Sequence, residues 1–421
     1  MKKKLIIVGG FLGAGKTTSI ICMANHFMQS GLKIGIVTND QGNQLVDTHF
    51  MRANGLEVLA VEGGCFCCNF GEFTTKVAEL RQSKDIDVLL AEPVGSCTDL
   101  VATIFKPLLR NMAPMLGVFD QGFSLAPLSI VVDPKRVMRL MMQQDGAYGE
   151  VAGGAAGSGA VGGGAAGGGA TGDAYGGVAG GAAGDSTAGG AGNIRGSAFP
   201  TEVNYLFDKQ LQEANIIAIN KCDILPADEL KRIEAFIMRQ YPGVEVLRVS
   251  AKTGEGLPKW IDRIMLAPYA LSDSLQIDYD AYARAEASLG WLNVFYFLSM
   301  DKTHPSDING RARAFINDVR AALSSHRAEI AHIKVFCVGQ NEFYKASLTG
   351  IHDDLEESSV MLFPQSEANL IINARVNIVP DMLRRICDAA VQQAFSGFTI
   401  NIVSSEDFRP SPPNPTYRIV D

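Results

Sequence analysis

Between an apolar run at Leu5–Val8 and a segment where Ile20, Met23, Ala24 and Phe27 recur at helical spacing, the chain reads Gly10-Phe-Leu-Gly-Ala-Gly15-Lys16-Thr17-Thr18. The pattern Gly-x-x-x-x-Gly-Lys-Thr in that position demands a strand, a tight glycine loop and a helix in succession. Such a loop turns successive backbone N–H groups inward around an anion. The helix N-terminus adds the positive end of its dipole. Gly10, Gly13, Ala14, Gly15 and Thr18 are therefore expected around a chain of phosphates. Lys16 places an ammonium at the β- and γ-phosphates, and the Thr17 hydroxyl is positioned to ligate Mg²⁺.

The surrounding pattern extends this local signature to a fold. Lys4–Val8, Lys33–Thr38, Glu57–Val61, Asp87–Ala91 and Leu128–Val132 read as strands separated by helical stretches. The alternation resumes with helices at Val203–Leu211, Ala227–Arg239 and Leu257–Met265 and strands at Ile216–Ile219 and Val244–Val249. It predicts an α/β domain over residues 1–270: a P-loop NTPase parallel sheet with helices on both faces. Residues 146–196 hold 22 of the 44 glycines, with alanine between them and no strict three-residue period. That composition buries too little apolar surface to fold, so the stretch 146–198 reads as a flexible Gly/Ala-rich insertion within the domain. Residues 285–405 predict a smaller C-terminal α+β domain. Its strands are expected at Trp291–Leu298, Ile333–Val338, Leu370–Val376 and Phe398–Ile402, and its helices at Ile308–Leu323 and Asp381–Gln393, all on one face. Residues 406–421 read as an extended proline-rich tail.

A net charge of −8 leaves no electrostatic footprint for nucleic acid. The basic start is followed by only four strongly apolar residues, fewer than the roughly 7–15 of a secretory signal. No apolar run is long enough for a membrane span. A cytoplasmic protein is expected, with its eight cysteines as thiols.

Two further constellations complete a nucleotide site. Ala91-Glu92-Pro93-Val94-Gly95 ends a strand, so Glu92 can hold the Mg²⁺ shell or position water, and the Gly95 N–H can sense a γ-phosphate; Asp133 is a rival for the acidic role. Asn220-Lys221-Cys222-Asp223 ends another strand. The Asp223 carboxylate can accept two hydrogen bonds from guanine that adenine does not offer, which discriminates strongly. The Lys221 stem can cover the purine face. Ser250-Ala251-Lys252, one strand later, can offer a backbone N–H to the guanine oxygen. GTP is the expected nucleotide.

Cys65-Phe-Cys67-Cys68 follows Gly63-Gly64, whose freedom lets three sulfurs converge. Thiolates select soft or borderline ions: Zn²⁺ first, with Co²⁺, Ni²⁺ or Cu⁺ also suited. A closed structural zinc site wants four protein ligands. Three local ones suit an exchangeable ion, with a redox thiol pair as the competing reading. Cys97 and Cys222 read as small apolar fillers, Cys97 being within possible reach of the cluster. Asp40 and Asp47, after the second strand, lie where a nucleotide-sensing switch belongs and are candidates for Mg²⁺ or metal contact.

Taken together, GFLGAGKTT, TNDQG, GGCFCC, EPVG, NKCD and SAK resemble, in order and spacing, the CobW-type GTPases, metallochaperone-like relatives of the nickel-enzyme maturation GTPases. The resemblance covers most of residues 1–270. It implies phosphate contacts from Gly13 to Thr18, metal at Cys65, Cys67 and Cys68, γ-phosphate sensing by Glu92 and Gly95, and guanine recognition by Asn220 and Asp223. It further implies slow GTP hydrolysis involving Lys16, Glu92 and Asp40, and partners comprising GTP/GDP and a client metalloprotein or corrinoid protein, with a homodimer as a further possibility. The usual Asn-Glu-Phe-Gly of the switch is Asn39-Asp40-Gln41-Gly42 here, and the histidine-rich loop of many relatives is missing. A regulatory GTP switch with redox-sensing thiols and a small-molecule P-loop kinase are the alternatives.

Overall fold

The computed structural model of the chain describes residues 3–39, 46–61, 63–83, 85–110, 112, 123–142, 199, 201–270 and 273–420. Asp40 and the glycine-rich insertion lie outside the described residues. The first half builds β1 (Lys3–Gly9), α1 (Lys16–Gln29), β2 (Ile34–Asn39), α2 (Val46–Ala53), β3 (Val58–Val61), α3 (Phe70–Ser83) and β4 (Val88–Glu92). A π-helical turn, Val101–Phe105, runs into α4 (Lys106–Leu109), followed by β5 (Phe123–Leu125), β6 (Ser129–Val132) and α5 (134–142). After the insertion come α6 (Thr201–Gln212), β7 (Ile216–Ile219), α7 (Ala227–Gln240), β8 (Glu245–Arg248) and α8 (Leu257–Leu266).

These strands form one sheet in the order β3-β2-β4-β1-β6-β7-β8, with β5 also paired to β1. Every pairing is parallel. Strands buried on both faces need apolar residues at every position, which explains the unbroken runs at Leu5–Val8 and Ile216–Ile219. Alternate residues serve opposite layers. Leu5, Ile7, Leu89, Ile130 and Ile217 join the core under α3, α6 and α7. Ile6, Val8, Leu90, Val131 and Ala218 join the core under α1, α2 and α8, where Trp260 is fully buried. Strand β1 lies at the switch point between its neighbours β4 and β6, and the crevice beyond its carboxyl end is where such sheets bind ligands.

The second half holds α9 (Tyr279–Ala287), β9 (Gly290–Ser299), α10 (Ile308–Ser325), β10 (Ile330–Val338), β11 (Phe343–Leu348), β12 (Glu356–Ser359), β13 (Glu367–Val376), α11 (Pro380–Ala394) and β14 (Thr399–Phe408). Its six strands pair antiparallel in the order β12-β11-β10-β13-β9-β14. Helices α10 and α11 cover one face, over Val294, Val335 and Ile372. The opposite face is packed against the first sheet's layers: Phe336 and Ile371 belong to the core of α1 and α2, and Trp291 and Ala331 to the other.

Three strands were not foreseen. Strand β5 has only three residues, β11 mixes Lys345 and Ser347 with apolar positions, and β12 is Glu-Glu-Ser-Ser on an edge. None shows a run that periodicity can detect. Strand β14 continues six residues past Ile402, through a register irregularity between Ile402 and Ser404, because pairing with β9 outweighs the polar sequence Ser404–Asp407.

The hinge of the phosphate loop is Gly10, at φ 133°. A Cβ there would stand 2.2 Å from the Val131 carbonyl oxygen of β6. Gly10→Ala is expected to cost about 1–3 kcal/mol through backbone strain alone, with further loss from displacing β6, measured by chemical denaturation of the nucleotide-free protein.

Candidate functional site

The phosphate loop leaves β1 and returns into α1 with Gly13 at φ 79° and Gly15 at φ 92°, conformations that glycine adopts without strain. Lys16 and Thr17 are buried at the first turn of the helix. The Lys16 ammonium reaches back to the Phe11 carbonyl at 3.3 Å. Burial lowers its pKa, opposed by the charges of Glu92 and Asp47. Glu92, the last residue of β4, accepts a hydrogen bond from Thr17 Oγ1 at 2.9 Å. Asp47, in the first turn of α2, stands in the same corner, and its negative charge acts on both Lys16 and Glu92. The structure thus brings together Lys16, Thr17, Glu92 and Asp47 from α1, β4 and α2.

Two oxygens of this corner, Asp47 Oδ1 and Glu92 Oε2, are buried and accept no hydrogen bond among the described residues. Two such oxygens beside a threonine hydroxyl are hard donors and fit a divalent cation such as Mg²⁺. Burial and the neighbouring Asp47 charge push the Glu92 carboxyl up to about 7. Burial would raise Asp47 too, but the ammonium groups of Lys334 and Lys345 prevail and hold it at about 2.

Those lysines belong to the antiparallel sheet, and no motif around them marks an approach to the phosphate loop. Lys334 of β10 forms an ion pair with Asp47. Lys345 of β11, lowered to about 8 by burial, lies 3.5 Å from the Phe50 ring centre on α2. His332 and Arg375 line the same narrow cleft as Gly13, Lys16, Asn39 and Gly95. Burial and the charges of Lys334 and Arg375 hold His332 well below its usual pKa, so its imidazole is neutral. A Cβ at Gly13 would meet Thr349 Cγ2 at 2.5 Å, so the second sheet closes directly over the loop. Asn373 Oδ1 caps this contact by accepting the Val46 N–H at 2.8 Å. In sequence these groups sit on alternating strand positions with no motif, which is why only packing finds them.

At the base side, Asn220 is buried and acts as a strut. Its Nδ2 donates to the Ala14 carbonyl at 2.9 Å, and its Oδ1 accepts from the Ala251 N–H at 2.9 Å. Within Ser250-Ala251-Lys252 the Ala251 amide is thus engaged by Asn220, while Ser250 is buried and Lys252 is exposed. Asp223 is exposed on the turn after β7. The Lys221 ammonium pairs with Asp133 at 2.9 Å and Glu356 at 2.6 Å. Two carboxylates thus hold this ammonium, and Asp133, the rival acid, is thereby committed to Lys221 rather than to the phosphate corner.

The thiol loop follows β3. Sulfurs of Cys65, Cys67 and Cys68 lie within 4.8 Å of one another, a spacing that can hold a metal ion. Cys65 Sγ and Cys68 Sγ are 3.1 Å apart. Hydrogen bonding among the clustered thiols holds Cys65 well below the usual thiol pKa, and the hydrogen bond with Cys65 pushes Cys68 up to about 11. Sulfurs this close together form a soft donor set that suits a soft or borderline cation. Asn39, at the end of β2, latches this loop: its Nδ2 donates to Gly64 O at 2.6 Å and its Oδ1 accepts from Phe66 N at 2.7 Å. The proline-rich tail, expected only to be extended, lies across the thiols. Thr416 N donates to Cys67 O at 2.8 Å, and Asn414 N to Cys68 Sγ at 3.3 Å.

Fold and cleft define a P-loop nucleotide-binding protein whose phosphate site adjoins a cysteine cluster. Residues 4–248 match the family model described as CobW/HypB/UreG, nucleotide-binding domain, and the chain belongs to that family. It is similar to the zinc chaperone CobW of Pseudomonas aeruginosa (26% identity over 269 residues, 60% of this chain and 58% of that protein). It also resembles the zinc chaperone CobW of Sinorhizobium sp. (24% over 263 residues, 59% of each). The chain thus spans under two thirds of these relatives' length. A solved zinc-bound YjiA GTPase from E. coli overlaps 93% of this chain and 99% of its own, at 12% identity and a TM-score of 0.32. Among the described residues, no helix is long and apolar enough to cross a membrane.

Because the folded pKa of Glu92, about 7, lies above its usual 4.5, its protonation favours the fold. That stabilisation is complete below about 4.5 and is lost as pH rises through 7. Glu92→Gln should therefore be more stable than the parent chain above pH 7 without nucleotide, the gap closing as pH falls toward 4.5. Denaturation midpoints across that range, in metal-free buffer, measure it.

Proposed function

We propose that this protein is a GTP-hydrolysing metallochaperone, in which the nucleotide state sets the affinity of the thiol cluster for a transition metal carried to a client metalloprotein. Zn²⁺ is the first choice of ion, in keeping with thiolate chemistry and with the zinc-chaperone names of its relatives.

The observation that carries this reading is the position of Asn39. It lines the phosphate cleft with Lys16 and Gly95, and both ends of its amide grip the backbone of the thiol loop. Residues 40–45 and α2, which follow it, make up the switch segment, and α2 delivers Asp47 to the phosphate corner. Mg·GTP binding requires Asp47 to exchange its partner Lys334 for the ion shell, which moves α2 and the strand end that holds Asn39. In this scheme the Gly13–Thr18 amides and Lys16 bind the triphosphate, and Thr17 with Asp47 holds Mg²⁺. Glu92 completes that shell or orients the attacking water, and the Gly95 N–H meets the γ-phosphate. Asp223 reads guanine, and Asn220 fixes the loop that bears it against the phosphate loop. When bound, Mg²⁺ offsets charge between the β- and γ-phosphates. Cys65, Cys67 and Cys68 hold the cargo ion.

A useful coupling between the two sites is about 1–3 kcal/mol, or roughly 5–150-fold in affinity. Titration of Zn²⁺, Co²⁺ and Ni²⁺ against a competing chelator, with GDP or a non-hydrolysable GTP analogue bound, is expected to give affinities that differ by that factor. Equal affinities in both states, or preservation of the effect with ATP in place of GTP, would contradict the scheme. Asp223→Asn should abolish the preference for guanine and leave the thiol cluster unaltered in the absence of nucleotide.

A further inference from the structure

Among the described residues, three cationic side chains line the phosphate cleft against two carboxylates: Lys16, Lys334 and Arg375 face Asp47 and Glu92. Buried charge without a partner is costly, so a cleft with this surplus suits an anion. The chain as a whole, at a net charge of −8, can supply such a field only locally. Lys16 is the ammonium of the phosphate loop itself. The other two cations come from the antiparallel sheet.

We propose that Lys334 is a catalytic residue for GTP hydrolysis, an ammonium supplied in cis by the antiparallel sheet that leaves Asp47 for the γ-phosphate when Mg·GTP binds. The inference rests on the reading of the site as a GTPase and adds the group that meets charge developing on the transferred phosphoryl.

Strand geometry aims Lys334 at the loop. Ile333 and Val335 lie in the core under α10 and α11, so the alternation of a strand puts His332, Lys334 and Phe336 on the opposite face. Phe336 joins the core of α1 and α2. The Ala331 carbonyl oxygen would stand 3.3 Å from a Cβ at Gly13. The start of β10 thus lies on the phosphate loop. Lys334 pairs with Asp47, and its cross-strand neighbour Asn373 accepts the Val46 N–H at 2.8 Å. One rung of the sheet therefore holds both a side chain and the backbone of the first turn of α2.

Of the basic groups described on this face, Lys334 is the one placed to change partners. Arg375 is 1% exposed. Its Nη1 donates to the Leu292 and Ala374 carbonyls at 3.0 Å each, and its guanidinium lies 4.0 Å from the Trp291 ring centre. Lys345 is buried with its ammonium against the Phe50 ring. Lys334 keeps 17% of its side chain exposed and carries its charge on a flexible four-carbon stem. Once Asp47 turns to the Mg²⁺ shell, the Lys334 ammonium has lost its counter-ion in a mostly buried site, an unfavourable state until another anion arrives. The terminal phosphate gripped by Lys16 is the anion that enters the same cleft.

In hydrolysis a water oxygen bonds to the γ-phosphorus. The bond from that phosphorus to the β,γ-bridging oxygen breaks, its electron pair stays on GDP, and the water's proton departs with inorganic phosphate. Negative charge is redistributed over the γ-oxygens and the bridging oxygen as that bond lengthens. An ammonium fixed beside them stabilises the transition state more than the bound substrate.

The test uses the full chain. Lys334→Ala should lower the single-turnover rate of GTP hydrolysis about 100-fold or more, with GDP affinity changed by less than about threefold. By calorimetry, GDP with aluminium fluoride, a mimic of the phosphoryl in flight, should bind the wild type more tightly than GDP alone. Lys334→Ala should lose that advantage, and Lys334→Arg, which keeps the charge, should recover part of it. The loss should persist in an Asp47→Asn background. Hydrolysis by Lys334→Ala at the wild-type rate would overturn the inference. So would a loss that vanishes in the Asp47→Asn background, because Lys334 would then act only by placing Asp47. Acylation of wild-type lysines, read by mass spectrometry, needs no variant: Lys334 should be better protected with GDP and aluminium fluoride than with GDP, and equal protection would contradict the proposal. A wild type that binds guanine nucleotide yet hydrolyses no GTP would overturn the GTPase reading and this inference with it.

Discussion

A buried ammonium held among buried carboxylates is the constraint around which the chain is organised. Lys16 is out of contact with bulk water beside Glu92 and Asp47, and Lys334 and Lys345 approach from the second sheet. Uncompensated burial of any one of these charges would be costly. Their mutual proximity makes the cluster tolerable, and its remaining imbalance is visible in Glu92, pushed up to about 7. Such a cluster is poised for a ligand that brings both signs of charge, and a triphosphate with its divalent ion does so.

The same constraint ties the two sheets together. The face of the antiparallel sheet not covered by α10 and α11 is neither solvent-exposed nor merely apolar. Phe336 and Phe343 hold the Phe50 ring edge-on, at 6.1 and 5.9 Å between ring centres, and Lys334 and Asn373 grip the start of α2. The switch helix is therefore sandwiched between the phosphate loop and a rigid sheet. Interfaces of this kind favour discrete alternative arrangements over gradual deformation. On the other side of the cleft, Asn39 connects to the thiol loop, and the C-terminal segment crosses it through Thr416 and Asn414.

Much of this was legible in the sequence because parallel strands and phosphate loops leave strong local marks. The run Leu5–Val8, the glycines at 10, 13 and 15 and the Lys16-Thr17 pair fix a strand, a loop and a helix start without reference to distant residues. Asn220 and Asp223 mark a strand end in the same way. What escaped was non-local. Lys334, Lys345, His332 and Arg375 are ordinary residues on alternating strand positions, and they acquire meaning only when the second sheet folds over Gly13. The partners of the Lys221 ammonium, Asp133 and Glu356, are likewise distant in sequence and carry no motif.

The central claim is that phosphate cleft, thiol loop and antiparallel sheet respond as one unit. Hydrogen–deuterium exchange, comparing the GDP complex with the complex of Mg²⁺ and a non-hydrolysable GTP analogue, tests it most directly. The account predicts altered protection in three places: the phosphate loop at residues 9–18, the thiol loop at 63–70 with the turn at 94–98, and strands β10 and β11 over 330–348. Changes confined to residues 9–18, with the thiol loop and the second sheet exchanging identically in both complexes, would contradict it.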